Sequence, residues 1–154
     1  MAFGIRSGVE TRAAVPADAA DLARLLHPLD NTLTTRDVAE RLEALARHPE
    51  GAVLVAADYG PVVGVIALRW SAVLQQARPA AWITTLVVDD RERRRGIGRM
   101  LIKVGAQAAR AAGCDTLDVV ALPEEDGQLF LRALGFTPAG QGFSRSLRKR
   151  AAGG

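Results

Sequence analysis

Between Leu86 and Leu101 the chain reads LVVDDRERRRGIGRML, and these are the residues whose types and spacing could do chemistry. A strand-like run passes through a basic turn with two glycines and into a segment of helical periodicity. A helix N-terminus offers backbone N–H groups without intrahelical partners and about half a unit of positive charge. Glycines there let a phosphate approach the backbone with no Cβ in the way. Gly96 and Gly98 can supply that open backbone, and Arg91, Arg93, Arg94, Arg95 and Arg99 gather guanidinium groups around it. A diphosphate gains most where amides and guanidinium groups converge.

Two familiar phosphate motifs do not fit. No Gly-Lys-Ser/Thr follows the glycines, as a nucleotide-hydrolysing loop requires. A dinucleotide fingerprint needs three spaced glycines in the first βαβ unit, whereas this turn lies past mid-chain. A solvated basic turn and a nucleic-acid contact are the alternatives. Aromatic residues are 5% of the chain and do not cluster near the turn, which counts against base stacking.

The elements that must position this turn follow from periodicity. Val9–Ala14 reads as a first strand. Pro16 opens a helix carrying Leu22, Leu25, Leu26 and Leu29 on one face. A second helix is expected from about Thr35 to Arg47, with Val38, Leu42, Leu45 and Ala46 inward and Thr34 or Thr35 as its cap. Ala52–Asp58 and Val62–Trp70 form a hairpin, Ser71–Ala80 is a link, and Trp82–Val88 is the next strand. After the turn, Ile97, Leu101, Val104, Ala108 and Ala111 define one helical face, opposite Arg99, Lys103, Gln107 and Arg110. Gly113 ends that helix. Thr116–Leu122 is a strand, Glu124–Leu134 a short helix stopped by Gly135, and FTP and FSRSL a closing pair of strands. Helices interleaved with strands in this order give a mixed α/β sheet with helices on both faces.

The length of 154 residues fits one domain with a sizeable core, and 49% apolar with 24% charged residues is ordinary globular usage. Residues 1–8 read as an N-terminal extension, 9–147 as the domain and 148–154 as a disordered basic tail. No apolar run reaches the ~20 residues that span a bilayer, and the first residues lack a signal-peptide core, so no membrane partner and a cytoplasmic location are expected. One cysteine, Cys114, forms no internal disulfide and reads as a small buried residue. With only His27 and His48 beside it, no metal site is expected. The net charge is +3, and only Lys103 and Lys149 among the basic residues are lysines, a bias that GC-rich coding alone can produce.

The run Arg93-Arg94-Arg95-Gly96-Ile97-Gly98 resembles the [R/Q]-x-x-G-x-[G/A] signature of the GNAT acyl-CoA-dependent acetyltransferase superfamily. Its context strengthens the resemblance: a strand ending in Val-Val-Asp precedes it, an amphipathic helix follows, and FLRALGF (Phe130–Phe136) lies downstream. TRAAVPADAADLARLL also looks like the family's first strand and helix, so the likeness covers about residues 9–147. The resemblance implies a mostly antiparallel sheet with one splayed parallel strand pair, Trp82–Val88 and Thr116–Leu122, and acetyl-CoA bound in the cleft between them. Backbone groups of Leu86, Val87 and Val88 would pair with the pantetheine arm. Amides and side chains of Arg93, Arg94, Arg95, Gly96, Ile97, Gly98 and Arg99 would hold the diphosphate. An N–H near Leu86 or Val88 would stabilise the oxyanion, a role worth a few kcal/mol.

The catalytic positions depart from the family. Leu131 stands where many members carry a tyrosine general acid, and Tyr59, the only tyrosine, falls in a hairpin turn and reads as structural. Trp82 occupies the strand position where some members carry a glutamate base. Asp118 is a candidate base if it faces the cleft, and otherwise a salt-bridged strand residue. Glu124, Glu125 and Asp126 fit the start of a helix. Asp30 and Asp37, between the first two helices, could attract a cationic amine. A lysine-like amine of pKa ~10.4 costs about 4.6 kcal/mol to deprotonate at pH 7, against about 1 kcal/mol for an α-amine of pKa ~7.8. Without an evident base, the low-pKa amine is the easier acceptor.

The sequence therefore points to an N-acetyltransferase moving acetyl from acetyl-CoA directly to a primary amine of a small molecule or a protein N-terminus. A non-catalytic acyl-CoA-binding or regulatory domain is the alternative. A homodimer is a family habit carried over as an expectation, and nucleic acid is not an expected partner.

Overall fold

Two long hydrophobic strands, β3 (Gly51–Asp58) and β4 (Val62–Ser71), lie at the centre of a six-stranded sheet in the computed structural model, which describes residues 2–6, 8–92, 95–120, 125–140 and 142–148. Both are covered on two faces, which is why they read as nearly continuous apolar runs: Val55, Ala56, Val62 and Ile66 are fully buried. Strand order follows chain order, from β1 (Ala2–Arg6) and β2 (Val9–Ala13) through β3 and β4 to β5 (Ala80–Val88) and β6 (Leu117–Val119). Every neighbouring pair is antiparallel except β5 and β6, which are parallel. Within the first eight residues, expected as an extension, Ala2–Arg6 thus forms an edge strand.

All six strands and three helices belong to one compact unit, residues 1–119. α1 (Ala19–Leu26) and α2 (Thr35–Ala46) cover one face of the sheet, where Leu22, Leu25 and Val38 join Val55, Val62 and Val65 in a core cluster. The opposite face takes α3 (Ile97–Ala111). There a Cβ on Gly64 would lie 3.0 Å from Ile97 Cγ2 and Leu101 Cδ1, and one on Gly105 would lie 3.0 Å from Ile66 Cδ1. Successive residues of a strand point to opposite faces, so Val65 and its neighbours Gly64 and Ile66 divide between the two helical layers.

Polar side chains fix the element ends. Asp18 accepts two hydrogen bonds from the Arg12 guanidinium, both 2.8 Å, and a third from Val15 N–H, also 2.8 Å. This holds a 3-10 turn, Pro16–Asp18, ahead of α1, where the sequence reads one continuous helix. Thr34 caps α2: its Oγ1 accepts from Asp37 N–H at 3.1 Å, and Asp37 returns the bond to Thr34 N–H at 3.0 Å. α3 closes in a Schellman motif, with Gly113 at φ 96°, Gly113 N–H on Arg110 O and Cys114 N–H on Ala109 O. Cys114 is buried, as expected.

The second compact unit, residues 120–154, contains α4 (Glu125–Ala133), ended by Gly135 at φ 91° with Phe136 N–H on Leu131 O. Among the described residues no strand follows α4, so the closing strands expected at FTP and FSRSL are not formed. β6 is three residues long within the expected Thr116–Leu122, of which 121 and 122 lie outside the described residues. Among the described residues no helix is long and apolar enough to cross a membrane.

Candidate active site

β5 changes neighbours partway along its length. Ala67 pairs with Thr85 and Leu68 with Ile83, so Thr84 is an extra residue with no counterpart on β4. Such a bulge bends its strand and increases the local twist. On the other side, β5 pairs with β6 only through Ala81, Trp82 and Ile83. From Thr84 to Val88 that edge has no strand beside it among the described residues.

The edge carries free backbone groups. Asp89 N–H donates to Val63 O at 2.8 Å, and hydrogen-bonding direction alternates along an antiparallel ladder. Val87 is therefore in phase with Asp89 and bonds to β4, while the N–H and C=O of Leu86 and Val88 turn toward the open edge. Of the three strand residues singled out from sequence, Val87 thus spends its backbone on the sheet.

The chain then enters the basic turn. Asp89 is largely buried and accepts from Arg91 at 3.1 Å and from Arg24 of α1 at 3.2 Å. Hydrogen bonds from the Arg91 side chain and then its backbone N–H hold the Asp89 carboxyl down at about 2, with Arg24 adding to the effect. Arg93 and Arg94 lie outside the described residues. The Arg95 guanidinium donates to Asp58 Oδ2 at 2.8 Å and to Glu92, tying the turn to the end of β3. These carboxylates raise its pKa, Asp58 the more strongly.

Gly96 has φ 75° and ψ 18°, a left-handed conformation that glycine adopts without strain. Its carbonyl accepts Met100 N–H at 3.0 Å, the first hydrogen bond of α3. The amides of Ile97, Gly98 and Arg99 have no acceptor among the described residues, and no side chain caps the helix. Ile97 serves two ends: its side chain is 1% exposed in the core, while its N–H belongs to the uncapped turn. The Arg99 guanidinium is exposed and unpaired among the described residues. Because Ile97 packs over Gly64, and Gly64 pairs with Val88, the helix start lies beside the far end of the open edge.

On the α1–α2 face a cavity of about 280 Å³ reaches the same strand. Its wall is leucine, valine and alanine except for Arg41 and Thr85. Asp30 and Asp37, expected near an acceptor amine, are not among its lining residues. Asp30 accepts from the Thr32 hydroxyl and N–H, Asp37 closes the α2 cap, and these bonds hold both carboxyls below their usual range.

Asp118 is exposed and paired in register with Trp82. Trp82 opposes Arg69, and Thr85 opposes Ala67, so Asp118, Trp82 and Thr85 share the sheet face that carries the cavity. Asp118 is not salt-bridged to any described residue. Leu131 is a half-buried residue of α4 in the second unit. Tyr59 is 87% exposed at φ 51° in the β3–β4 turn, with its ring over Gly8. Among the described residues no group of histidine, cysteine and acidic side chains could hold a metal ion.

The sequence reading missed Thr84, Thr85 and Arg41. The signal for the first was the Thr-Thr pair inside WITTLVV, where a β-branched polar doublet interrupts the apolar alternation.

A strand edge opened by a bulge, leading to an uncapped helix start, defines a class of fold, and comparison with known proteins names it. The family model described as "Acetyltransferase (GNAT) family" matches residues 19–136. The chain belongs to the GNAT acetyltransferase family. Among solved structures it is similar to an Agrobacterium tumefaciens str. C58 protein named "putative acetyltransferase", at 27% identity and TM-score 0.80, covering 88% of this chain and 98% of that one. Glucosamine-6-phosphate N-acetyltransferase from Arabidopsis thaliana shares the fold at 17% identity and TM-score 0.77, over 91% and 99% of the two chains. So does AAC(6')-Iy in complex with the bisubstrate analogue CoA-S-monomethyl-acetylneamine, at 19% identity and TM-score 0.79, over 94% and 100%. A search of curated protein sequences finds no match.

Proposed function

We propose that this chain is an acetyl-CoA-dependent N-acetyltransferase that passes acetyl directly to a primary amine. The carrying observation is the adjacency of two sets of unsatisfied backbone donors, at Leu86 and Val88 on the open edge of β5 and at Ile97–Arg99 on the start of α3. A diphosphate suits the second set, where amides and helix charge act together and Arg99 adds a guanidinium. A pantetheine arm, with its alternating amides, suits the first as a strand-like partner. AAC(6')-Iy binds a CoA-derived analogue on the same fold, which supports this placement.

The chain's own groups then have defined tasks. The Leu86 or Val88 N–H, whichever meets the thioester oxygen, donates to the charge that develops there as the amine attacks. The thiol is a tolerable leaving group, with a pKa of ~8.5. The surplus amine proton leaves to solvent, with Asp118 the candidate acceptor on the cavity face.

A titration calorimetry experiment with acetyl-CoA and CoA tests the reading; absence of binding ends it. A second reading, a CoA-binding domain without catalysis, draws on Leu131 at the family's tyrosine position. Free-thiol release across a panel of amines separates the two, since the non-catalytic domain releases none above hydrolysis.

A further inference from the structure

The cavity under α1 and α2 differs from its surroundings in having room and almost no polarity. Leu22, Leu26, Leu42, Val53 and Val65 form its wall, and Leu29 stays 63% exposed at the helix end beside it. Its 280 Å³ equals about nine waters at ~30 Å³ each, room enough to admit a large apolar side chain. Water held there would meet few hydrogen-bonding partners, so an apolar group gains by displacing it.

Two polar groups break the wall, and they stand on different elements. Thr85 projects from the part of β5 whose edge is open, and its hydroxyl has no hydrogen bond among the described residues. Arg41 projects from α2 and also lacks a hydrogen bond or ion pair there. Asp30 and Asp37 feel its charge, but their carboxylates are hydrogen-bonded to Thr32 and Thr34. No carboxylate lines the cavity among the described residues, so a polycationic amine would meet a guanidinium and hydrocarbon there, while an anion would find a guanidinium that no described carboxylate hydrogen-bonds.

We infer that the acceptor is an amine on an apolar body with an adjacent anionic group, of which an apolar α-amino acid is the simplest case. Its side chain enters the cavity, its carboxylate meets Arg41 and its amine lies on the Thr85 side, next to the open edge. This rests on the acetyltransferase reading above. The bonds made and broken are those of that reaction: the amine nitrogen gains the acetyl carbon, the thioester C–S bond breaks, and the amine proton leaves to solvent.

The test measures thiol release from acetyl-CoA with leucine, leucinamide, glycine and kanamycin, after calorimetry with CoA on the same protein. Leucine should exceed glycine in kcat/KM at least tenfold, because glycine buries no apolar side chain there. It should also exceed leucinamide, although the amide has the less basic amine. Arg41→Gln, at an exposed position, should raise KM for leucine about tenfold or more, leave leucinamide unchanged and keep CoA affinity. Ala67→Leu should reduce leucine turnover by filling the cavity from β4, its folding verified by retained CoA affinity. If CoA binds but kanamycin or glycine equals leucine, or if Arg41→Gln affects leucine and leucinamide alike, the inference fails and the acetyltransferase reading stands. Tighter binding of octanoyl-CoA than acetyl-CoA, abolished by Ala67→Leu, assigns the cavity to the acyl chain and also overturns it. If CoA does not bind at all, both fall.

Discussion

The Thr84 hydroxyl donates to Ala67 O at 3.2 Å, across the one point where β5 has a residue that β4 does not match. Parallel pairing with β6 ends one residue earlier, at Ile83. The hydroxyl, the extra residue and the end of the pairing coincide, so the opening of the sheet is a local property of this strand. It needs no long insertion elsewhere in the chain.

Because backbone direction alternates beyond the bulge, adjacent prolines should have opposite effects. Val88→Pro deletes an N–H that points to the open edge, where proline is tolerated. It should melt near the wild-type temperature and lose at least tenfold in CoA affinity. Val87→Pro deletes a ladder bond to β4 and should lower stability by about 3 kcal/mol or more. Calorimetry and thermal melts on the pair read both, and equal destabilisation would refute the assigned phase.

Gly96 carries two requirements, a left-handed backbone and an uncharged approach to three amides. Gly96→Asn and Gly96→Asp share nearly the same strain, since both residues tolerate this conformation better than most. Only the aspartate adds a negative charge against the diphosphate. CoA affinity should fall much further for Asp than for Asn at similar melting temperature. Two variants of equal affinity would remove the diphosphate from this turn.

Acid stability should report on Asp89. Its folded pKa of about 2 lies below the ordinary carboxylate value near 3.8, so its contribution is present above that value and lost as pH falls toward 2. Arg91 is 80% exposed, so solvent screening keeps the effect small. The difference in melting temperature between wild type and Asp89→Asn should be largest at pH 5 and shrink toward pH 2. Asp18, also depressed, titrates equally in both proteins and cancels. A pH-independent difference would mean the carboxylate is not held by its arginines.

Much of this was legible in the residues. Strong periodic signals placed α2, α3 and the central hairpin within a residue or two, and Gly113 and Gly135 ended their helices as αL residues. The exposed stripe Arg99, Lys103, Gln107 and Arg110 followed from helical spacing alone. What could not be read was tertiary choice. Arg95 looked like a free cation until Asp58, thirty-seven positions away in sequence, was folded against it. Asp30 and Asp37 looked like surface charge for an amine but serve local turns, a use aspartate commonly takes. The buried face of α3 runs through Ile102, Gly105 and Ala109, while Ala111, counted as inward, is exposed. A face set by two close-approach glycines leaves little hydrophobic signal.

Those glycines give the last prediction. Gly64 and Gly105 are equally tight against their neighbours, each 3.0 Å from a methyl group across the α3–sheet interface. They stand at different points of that interface, Gly64 under the first turn of α3 and Gly105 mid-helix, eight residues beyond Ile97. Gly64→Val overpacks a core and should cost about 1–3 kcal/mol. It should also lift the Ile97 end of the helix from β4 and separate the uncapped amides from the open edge, so CoA affinity drops as well. Gly105→Ala adds one methyl, and its crowding is offset by about 1 kcal/mol of helix propensity. It should change neither stability nor affinity much, because the helix start is untouched. Melting curves and CoA titrations on the two variants check this, and comparable affinity loss in both would show that the helix start is not positioned by its contact with Gly64.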